Sequence, residues 1–162
     1  MKGPLLPLVL LVACGRAPPP AATQTAVDSL LGTWRVIRFT ARATRDTTAT
    51  FPFGLDPHGY LVYDGTGHVF FQAFRPTAMD SLARARGHRA PDAVMIQLRD
   101  GFIAHFGTYT VDPTQRTVTH HIEGEMPLHG GTFEVATPFR LEGDTLVLGS
   151  DRLRSWAFLR VR

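Results

Sequence analysis

Short apolar segments separated by turn residues are the feature that most limits how this chain can fold. They are clearest in residues 116–150, where Gly130-Gly131 and Glu142-Gly143-Asp144 separate three runs rich in Val, Thr, Phe and Leu. This alternation of β-forming runs and turn residues is typical of strands joined by hairpins. The clearest hairpin earlier in the chain has its turn at Asp64-Gly65-Thr66-Gly67.

Eight such segments follow one another along the chain. The predicted strands are 33–40, 60–63, 68–74, 105–111, 116–123, 132–141, 145–150 and 155–161. Eight antiparallel strands with short connections close an up-and-down barrel that has room for side chains or one small ligand. We therefore predict a mainly β fold, an eight-stranded antiparallel up-and-down β-barrel with one or two short helices, spanning residues 28–162.

Three stretches carry the helical signals. Residues 27–31 predict one helical turn that ends at Gly32, and the polar segment 75–90 predicts another over residues 78–86. In residues 92–104, Asp92 after Pro91 favours a capped helix, and two strands around Arg99-Asp100-Gly101 are the alternative. We predict the helix there.

The N-terminus resembles a bacterial lipoprotein leader. An apolar run too short to span a bilayer ends in Leu11-Val12-Ala13-Cys14-Gly15, which is similar to a lipobox. The resemblance implies a signal peptide at 1–13, and a lipidated Cys14 with a flexible tether at 14–27. It also implies an outer-membrane lipoprotein that faces the periplasm. An ordinary cleaved secretory signal is the alternative.

Composition excludes several other functions. Cys14 is the only cysteine, so the folded part has neither a disulfide nor a thiolate. All basic residues except Lys2 are arginines, and they are scattered, so binding to nucleic acid is not predicted. The chain has no nucleophile motif around a serine, so nucleophilic catalysis is not predicted. It has no Gly-rich phosphate loop, and no cofactor is predicted.

The adjacent histidines His120 and His121 are the strongest candidates for chemistry. Neighbouring residues of a strand point to opposite faces, so His121 shares a face with Glu123 and His120 shares one with Ile122. One interpretation is that one histidine and Glu123 form a polar patch in an apolar cavity. The other is that one histidine is solvated and its neighbour makes a structural hydrogen bond.

A zinc site on the same strand is a further alternative. It would combine His121 and Glu123 with His105 or His129. None of these residues has the helical spacing of a metal motif, so no metal is predicted.

The order of the motifs resembles the bacterial lipocalin-like domain family over residues 30–161. The resemblance rests on Leu31-Gly32-Thr33-Trp34-Arg35, Phe51-Pro52-Phe53-Gly54, Gly59-Tyr60-Leu61-Val62-Tyr63, Phe106-Gly107-Thr108-Tyr109, His120-His121-Ile122-Glu123-Gly124, Arg140-Leu141-Glu142-Gly143-Asp144 and the Leu146/Leu148 strand. It implies a β-barrel with an internal cavity and brings no catalytic mechanism. In lipocalins a late arginine packs over the first-strand tryptophan, and here Arg154 or Arg160 is suited to that role.

Binding of a small hydrophobic or amphipathic molecule in the barrel is the leading hypothesis. The predicted ligand-binding residues are Trp34, Tyr63, Phe70, Gln72, Tyr109, His121, Glu123 and Arg140. For Arg140, an inward position would pair it with Glu123 or an acidic ligand group, and an outward position would leave it solvated.

Two alternatives come from other functional classes. The first is an isomerase, cyclase or hydrolase acting on a lipid-like substrate. Its general base would be His120 or His121, with Glu123 as orienter or acid and Tyr109 or Arg140 stabilising negative charge. The second is an envelope interaction module whose barrel is filled by its own side chains. The sequence leaves the oligomeric state open.

Overall fold

The eight predicted strands close into one antiparallel barrel. The structure is a computed structural model, and it describes residues 21–42, 48–84, 92–127, 132–150 and 152–162. Each strand pairs with the next, and the last returns to the first. The elements are α1 (Ala21–Leu30), β1 (Gly32–Ala41), β2 (His58–Tyr63), β3 (His68–Phe74), α2 (Pro76–Arg84), α3 (Asp92–Asp100), β4 (Phe102–Asp112), β5 (Thr117–Met126), β6 (Phe133–Glu142), β7 (Thr145–Ser150) and β8 (Arg154–Arg160). The predicted fold class is confirmed.

Helix α1 is longer than the single turn that the sequence predicts. It begins at Ala21, so residues 21–26 of the predicted flexible tether are helical. The segment after the prolines is rich in alanine, which has the highest helix propensity. The predicted signal peptide and Cys14 lie outside the described residues. No helix in the described part of the chain is long and apolar enough to cross a membrane.

Helices α2 and α3 form the connection between β3 and β4. Pro76 begins α2, a position where its missing N–H is not needed. The helix predicted after Pro91 is confirmed as α3, which ends at Asp100. Phe102 was expected in that helix, but it begins β4 and pairs with Phe74. Strand β4 therefore starts three residues before the predicted His105.

A β-bulge in β1 changes which side chains face the barrel interior. The pairing with β8 shifts between Val36 and Arg38, so Ile37 is the extra residue. Phe39 is consequently buried together with Trp34 and Val36. Simple alternation from Trp34 would place Phe39 on the opposite face, but alternation does not continue through a bulge.

Helix α1 closes one end of the barrel, which we call the floor. We call the opposite end, where β1 ends and β8 begins, the mouth. The floor half is tightly packed by side chains that are 0% exposed, namely Leu30, Trp34, Val36, Val69, Val118 and Leu146. On the mouth side, Trp156 stacks on Phe39 with ring centroids 4.2 Å apart, and Phe53 packs against both rings. The loop that precedes β2 therefore contributes to the interior near the mouth.

Arg160 joins α1 to the barrel floor. Its guanidinium donates hydrogen bonds of 2.7 Å to the carbonyl oxygens of Ser29 and Leu31, and it lies 4.0 Å above the Trp34 ring. The Trp34 indole donates to the Leu30 carbonyl at 2.8 Å. These donors satisfy carbonyl groups that the helix end would otherwise leave unpaired. Of the two arginines considered, Arg160 takes this role, and Arg154 is exposed at the mouth.

Replacement of Arg160 by alanine should destabilise the barrel. The change removes two charged hydrogen bonds and a cation–π contact, so we expect a loss of about 2–4 kcal/mol in the free energy of unfolding. Urea denaturation measures the change. Arg154→Ala, on the same strand, is the control and should alter stability by less than about 0.5 kcal/mol. Equal effects of the two substitutions would contradict this role of Arg160.

Candidate functional site

A cavity occupies the barrel interior between the packed floor and the mouth. Its volume is about 540 Å³, and its wall is formed by Leu61, Phe71, Ile103, His105, His120, Ile122, Glu125, Phe133, Val135, Thr137, Leu148, Trp156 and Phe158. Most of these side chains are apolar. The polar groups are two histidines, a glutamate and a threonine, so the wall combines a large apolar surface with a small polar region.

His120 is the histidine of the adjacent pair that faces inward. It is 6% exposed, and Val118 and Ile122 are buried on the same face of β5. Its Nε2 lies 2.7 Å from the hydroxyl of Tyr63, and its Nδ1 lies 3.0 Å from Nε2 of His105. The three side chains form a hydrogen-bonded chain, the Tyr63–His120–His105 chain, which runs from the packed floor to the cavity wall.

The donors in this chain have one consistent direction. Within the described residues, His120 Nε2 is the hydrogen-bond partner of the buried Tyr63 hydroxyl. A buried hydroxyl proton needs an acceptor, so the phenol donates to His120 Nε2. His120 then carries its proton on Nδ1 and donates to Nε2 of His105. His105 therefore holds its own proton on Nδ1. The reverse direction would leave the buried phenol proton without an acceptor.

Burial keeps all three groups of the chain neutral at pH 7. Desolvation, with smaller contributions from the neighbouring His105 and His121, lowers the pKa of His120 to about 3. Desolvation also lowers the pKa of His105 to about 4, although the negative charge of Glu125 opposes this shift. The pKa of Tyr63 is raised by burial and by its neighbour Tyr109.

A second β-bulge places Glu125 on the cavity wall. Phe106 pairs with Gly124, but Gly107 pairs with Ile122, so Glu123 is the extra residue of β5. Beyond the bulge Glu125 lies opposite His105, on the inner side of the wall. A Cβ on Gly107 would collide with the carbonyl oxygen of His121, so this close approach of the two strands requires glycine.

Glu125 was not among the predicted site residues, and His105 was predicted only as a possible ligand in the zinc alternative. Strict alternation from His120 would place Glu125 outside, and no single-sequence signal marks a bulge at Glu123. The close approach at Gly107 is the nearest available indication, because glycine within a strand often accompanies a bulge.

Three of the predicted ligand-binding residues lie in the packed floor half. Trp34 is fully buried beneath Arg160. Tyr63 and Tyr109 pack against each other with ring centroids 4.7 Å apart, and the Tyr109 hydroxyl donates to the Asp64 carbonyl. These three side chains pack between the floor and the cavity. The hydroxyl of Tyr63 is linked to the cavity wall by its hydrogen bond to His120.

Four other predicted residues project from the outer face of the barrel, which corrects the expectation that they line the cavity. Phe70 is 50% exposed, and Gln72 is exposed on the same strand. His121 bonds to Thr110 at 3.1 Å and to the carboxylate of Glu134 at 2.9 Å. Arg140 donates to Glu142 on the same strand. Strand alternation explains each position.

Glu123 is also exposed, at the bulge itself. The predicted polar patch of a histidine with Glu123 is therefore wrong, since Glu125 and His105 occupy the inner wall. The proposed catalytic set is divided in the same way, with His120 and Tyr109 inside and His121 and Glu123 outside.

An outer groove runs across β2 to β5. Its volume is about 500 Å³, and it includes Phe70, Gln72, Tyr60 and Phe106. His105 and Glu125 border this groove as well as the cavity, because they lie near the mouth edge of the wall.

The zinc alternative has no geometric support in the described part of the chain. Within those residues, no three His, Cys, Asp or Glu side chains come close enough to hold a metal ion. His129, one of its two alternative third ligands, lies outside the described residues.

Comparison with known proteins gives one finding. A family model described as a lipocalin-like domain matches residues 31–149, which is most of the barrel. No curated protein matches the chain.

The low pKa values of His105 and His120 predict a dependence of stability on pH. Unfolded histidines take up protons near pH 6.5, whereas the folded ones do so only near pH 4 and 3. The free energy of unfolding should therefore fall as the pH is lowered from 6.5 to 4, by up to about 1.4 kcal/mol per pH unit for each histidine.

Urea denaturation at several pH values measures this slope. His120→Gln removes one of the two groups and should make the slope smaller. His121→Gln, on the outer face of the same strand, leaves both buried histidines in place and serves as the control. A slope that His120→Gln does not change would contradict the assignment.

Proposed function

Because this chain belongs to the lipocalin-like domain family, we propose that it binds one small hydrophobic or amphipathic molecule inside its barrel. The observation that carries the proposal is the uneven filling of the interior. The floor half is packed with fully buried side chains, whereas the mouth half holds a cavity of about 540 Å³. That volume is within the range of roughly 300–1,000 Å³ that is usual for small-molecule sites.

The chemistry of the wall supports a mainly apolar ligand. Ile103, Ile122, Phe133 and Val135 offer no hydrogen bonds, and Trp156 offers one indole donor. An apolar molecule that entered would remove this surface from water, at about 25 cal/mol per Å² of apolar area. The polar groups near His105 would then orient one end of the ligand.

The two alternative functions have weaker support. A barrel filled by its own side chains would not contain this cavity, so an interaction module is not favoured. The predicted catalytic residues lie on both sides of the wall, and His120 is held between Tyr63 and His105. A neutral histidine in two fixed hydrogen bonds suits orientation of a ligand better than turnover.

We also propose a lipid anchor at Cys14. The proposal rests on the likeness of Leu11-Val12-Ala13-Cys14-Gly15 to a lipobox. Several acyl chains on Cys14 would hold the barrel stably at a membrane, whereas one chain would bind only marginally. The barrel would then face the periplasm from the outer membrane of a bacterium and take up its ligand there.

Enlarging Ile122 should weaken ligand binding because its side chain lines the cavity and is 3% exposed. Ile122→Phe and Ile122→Trp fill progressively more of the cavity. We expect the affinity for N-phenyl-1-naphthylamine, a neutral fluorescent probe, to fall in that order, by about tenfold or more for tryptophan.

Glu123→Trp is the matched control, since it adds the same ring on the outer face of the same strand. Circular dichroism verifies that each variant is folded. Folded Ile122 variants that bind the probe as tightly as the wild type would place binding elsewhere.

The anchor is tested by labelling with radioactive palmitate in a bacterial host. Wild-type protein should incorporate the label and sediment with membranes, because acylation requires the Cys14 thiol. Cys14→Ala should not be labelled. A mature wild-type chain that starts after Ala13 without acyl groups would show an ordinary secretory signal instead.

A further inference from the structure

We infer that the cavity selects ligands whose polar group is an uncharged hydrogen-bond acceptor, such as a ketone or ester carbonyl, and that Tyr63 sets this preference from the floor half of the barrel. The acceptor takes its hydrogen bond from the Nδ1–H of His105. This inference rests on the proposed function and specifies its ligand class. It follows from the direction of the Tyr63–His120–His105 chain.

One ring nitrogen of His105 is left available by the chain. Its Nε2 accepts from His120, and its Nδ1 makes no hydrogen bond within the described residues. In that part of the chain, no buried side-chain nitrogen or oxygen lacks a hydrogen-bond partner, so Nδ1 of the partly buried His105 reaches open space. The ring lies among inward-facing side chains, with its centroid 5.2 Å from that of Phe71, and it lines the cavity.

Tyr63 makes this nitrogen a donor. The buried phenol donates to Nε2 of His120, which places the His120 proton on Nδ1 and leaves the His105 proton on its own Nδ1. A neutral imidazole has a single N–H, so each ring fixes the proton position of the next. Without the phenol, both rings can reverse direction, and Nδ1 of His105 then becomes an acceptor. Tyr63 is therefore a positioning residue that acts through His120.

A single donor in a mainly apolar wall distinguishes ligands by their polar group. A carbonyl oxygen that accepts from Nδ1–H replaces a hydrogen bond to water, whereas a hydrocarbon leaves the donor unpaired. An ammonium group has no lone pair with which to accept. A carboxylate accepts, but burying its charge costs far more than one neutral donor returns.

Glu125 is the neighbouring acceptor that could compete for this donor, because it lies opposite His105 on β5. The structure shows no hydrogen bond between these two described side chains. Glu125 is only partly buried, and it is engaged in an interaction of its own. We therefore assign the Nδ1–H of His105 to the ligand.

Nitrogen-15 NMR of the histidine rings at pH 7 locates the His105 proton, since protonated and unprotonated ring nitrogens have well-separated resonances. His105→Gln identifies the signals. We expect a protonated Nδ1 and an unprotonated Nε2. 2-Undecanone should shift the Nδ1 resonance, whereas 2-methyl-1-undecene, in which a methylene group replaces the carbonyl oxygen, should shift it much less. In Ile122→Trp, which fills the cavity, the same shift should require about tenfold more ketone.

Tyr63→Phe tests the effect of the phenol on the cavity. The Nδ1 resonance of His105 should move toward the unprotonated position. The ratio of the affinities for the ketone and the alkene, both measured by displacement of N-phenyl-1-naphthylamine, should fall about fivefold, as expected for one neutral hydrogen bond. This ratio cancels any change in the affinity for the probe.

Tyr109→Phe is the matched control, because it removes a neighbouring phenol that donates to the Asp64 carbonyl and takes no part in the chain. It should leave the affinity ratio within about twofold of the wild-type value.

A protonated Nε2 on His105 in the wild type would overturn the inference, and so would a folded Tyr63→Phe protein that keeps the wild-type ratio. A ketone-induced shift that Ile122→Trp does not weaken would place the acceptor in the outer groove and overturn it as well. If Tyr63→Phe does not fold, the wild-type nitrogen resonances decide the question. A folded protein that binds neither the probe nor either ligand would overturn the proposed function itself.

Discussion

The alternation of side chains through a barrel wall determines which groups of this protein can meet a ligand. Each strand sends every second residue inside, and a one-residue shift exchanges the two faces. Two bulges make such shifts here. The bulge at Ile37 buries Phe39 near Trp156, and the bulge at Glu123 turns Glu125 inward beside His105. The position of the one carboxylate on the described cavity wall therefore results from irregular strand pairing.

The Tyr63–His120–His105 chain separates a packed half of the barrel from an open one. Buried polar groups are costly unless they are paired, and within this chain the phenol and both rings are bonded to one another. Because the bonds fix the tautomer of each histidine, the cavity has a defined donor at His105 without a positive charge.

The regular parts of the structure were predictable from sequence, and the irregular parts were not. The turn residues located all eight strands. The likeness to lipocalins predicted that Arg154 or Arg160 packs over Trp34, and Arg160 is the one that does. The faces of His120 and His121 followed from alternation, although which face was inside did not. Glu125 was not predicted, because a bulge arises from the pairing of two strands, and a glycine such as Gly107 in one strand does not locate the extra residue in the other.

The central claim is that a ligand binds inside the mouth half of the barrel, and its two tryptophans offer the most direct test. The Trp156 indole lines the cavity, whereas the Trp34 indole is bonded to the Leu30 carbonyl in the floor. Two-dimensional NMR during titration with 1-decanol should show a saturable shift of the Trp156 indole N–H resonance and almost none for Trp34. Saturable binding that leaves Trp156 unchanged and shifts residues of the outer groove, such as Phe70 and Phe106, would contradict the claim.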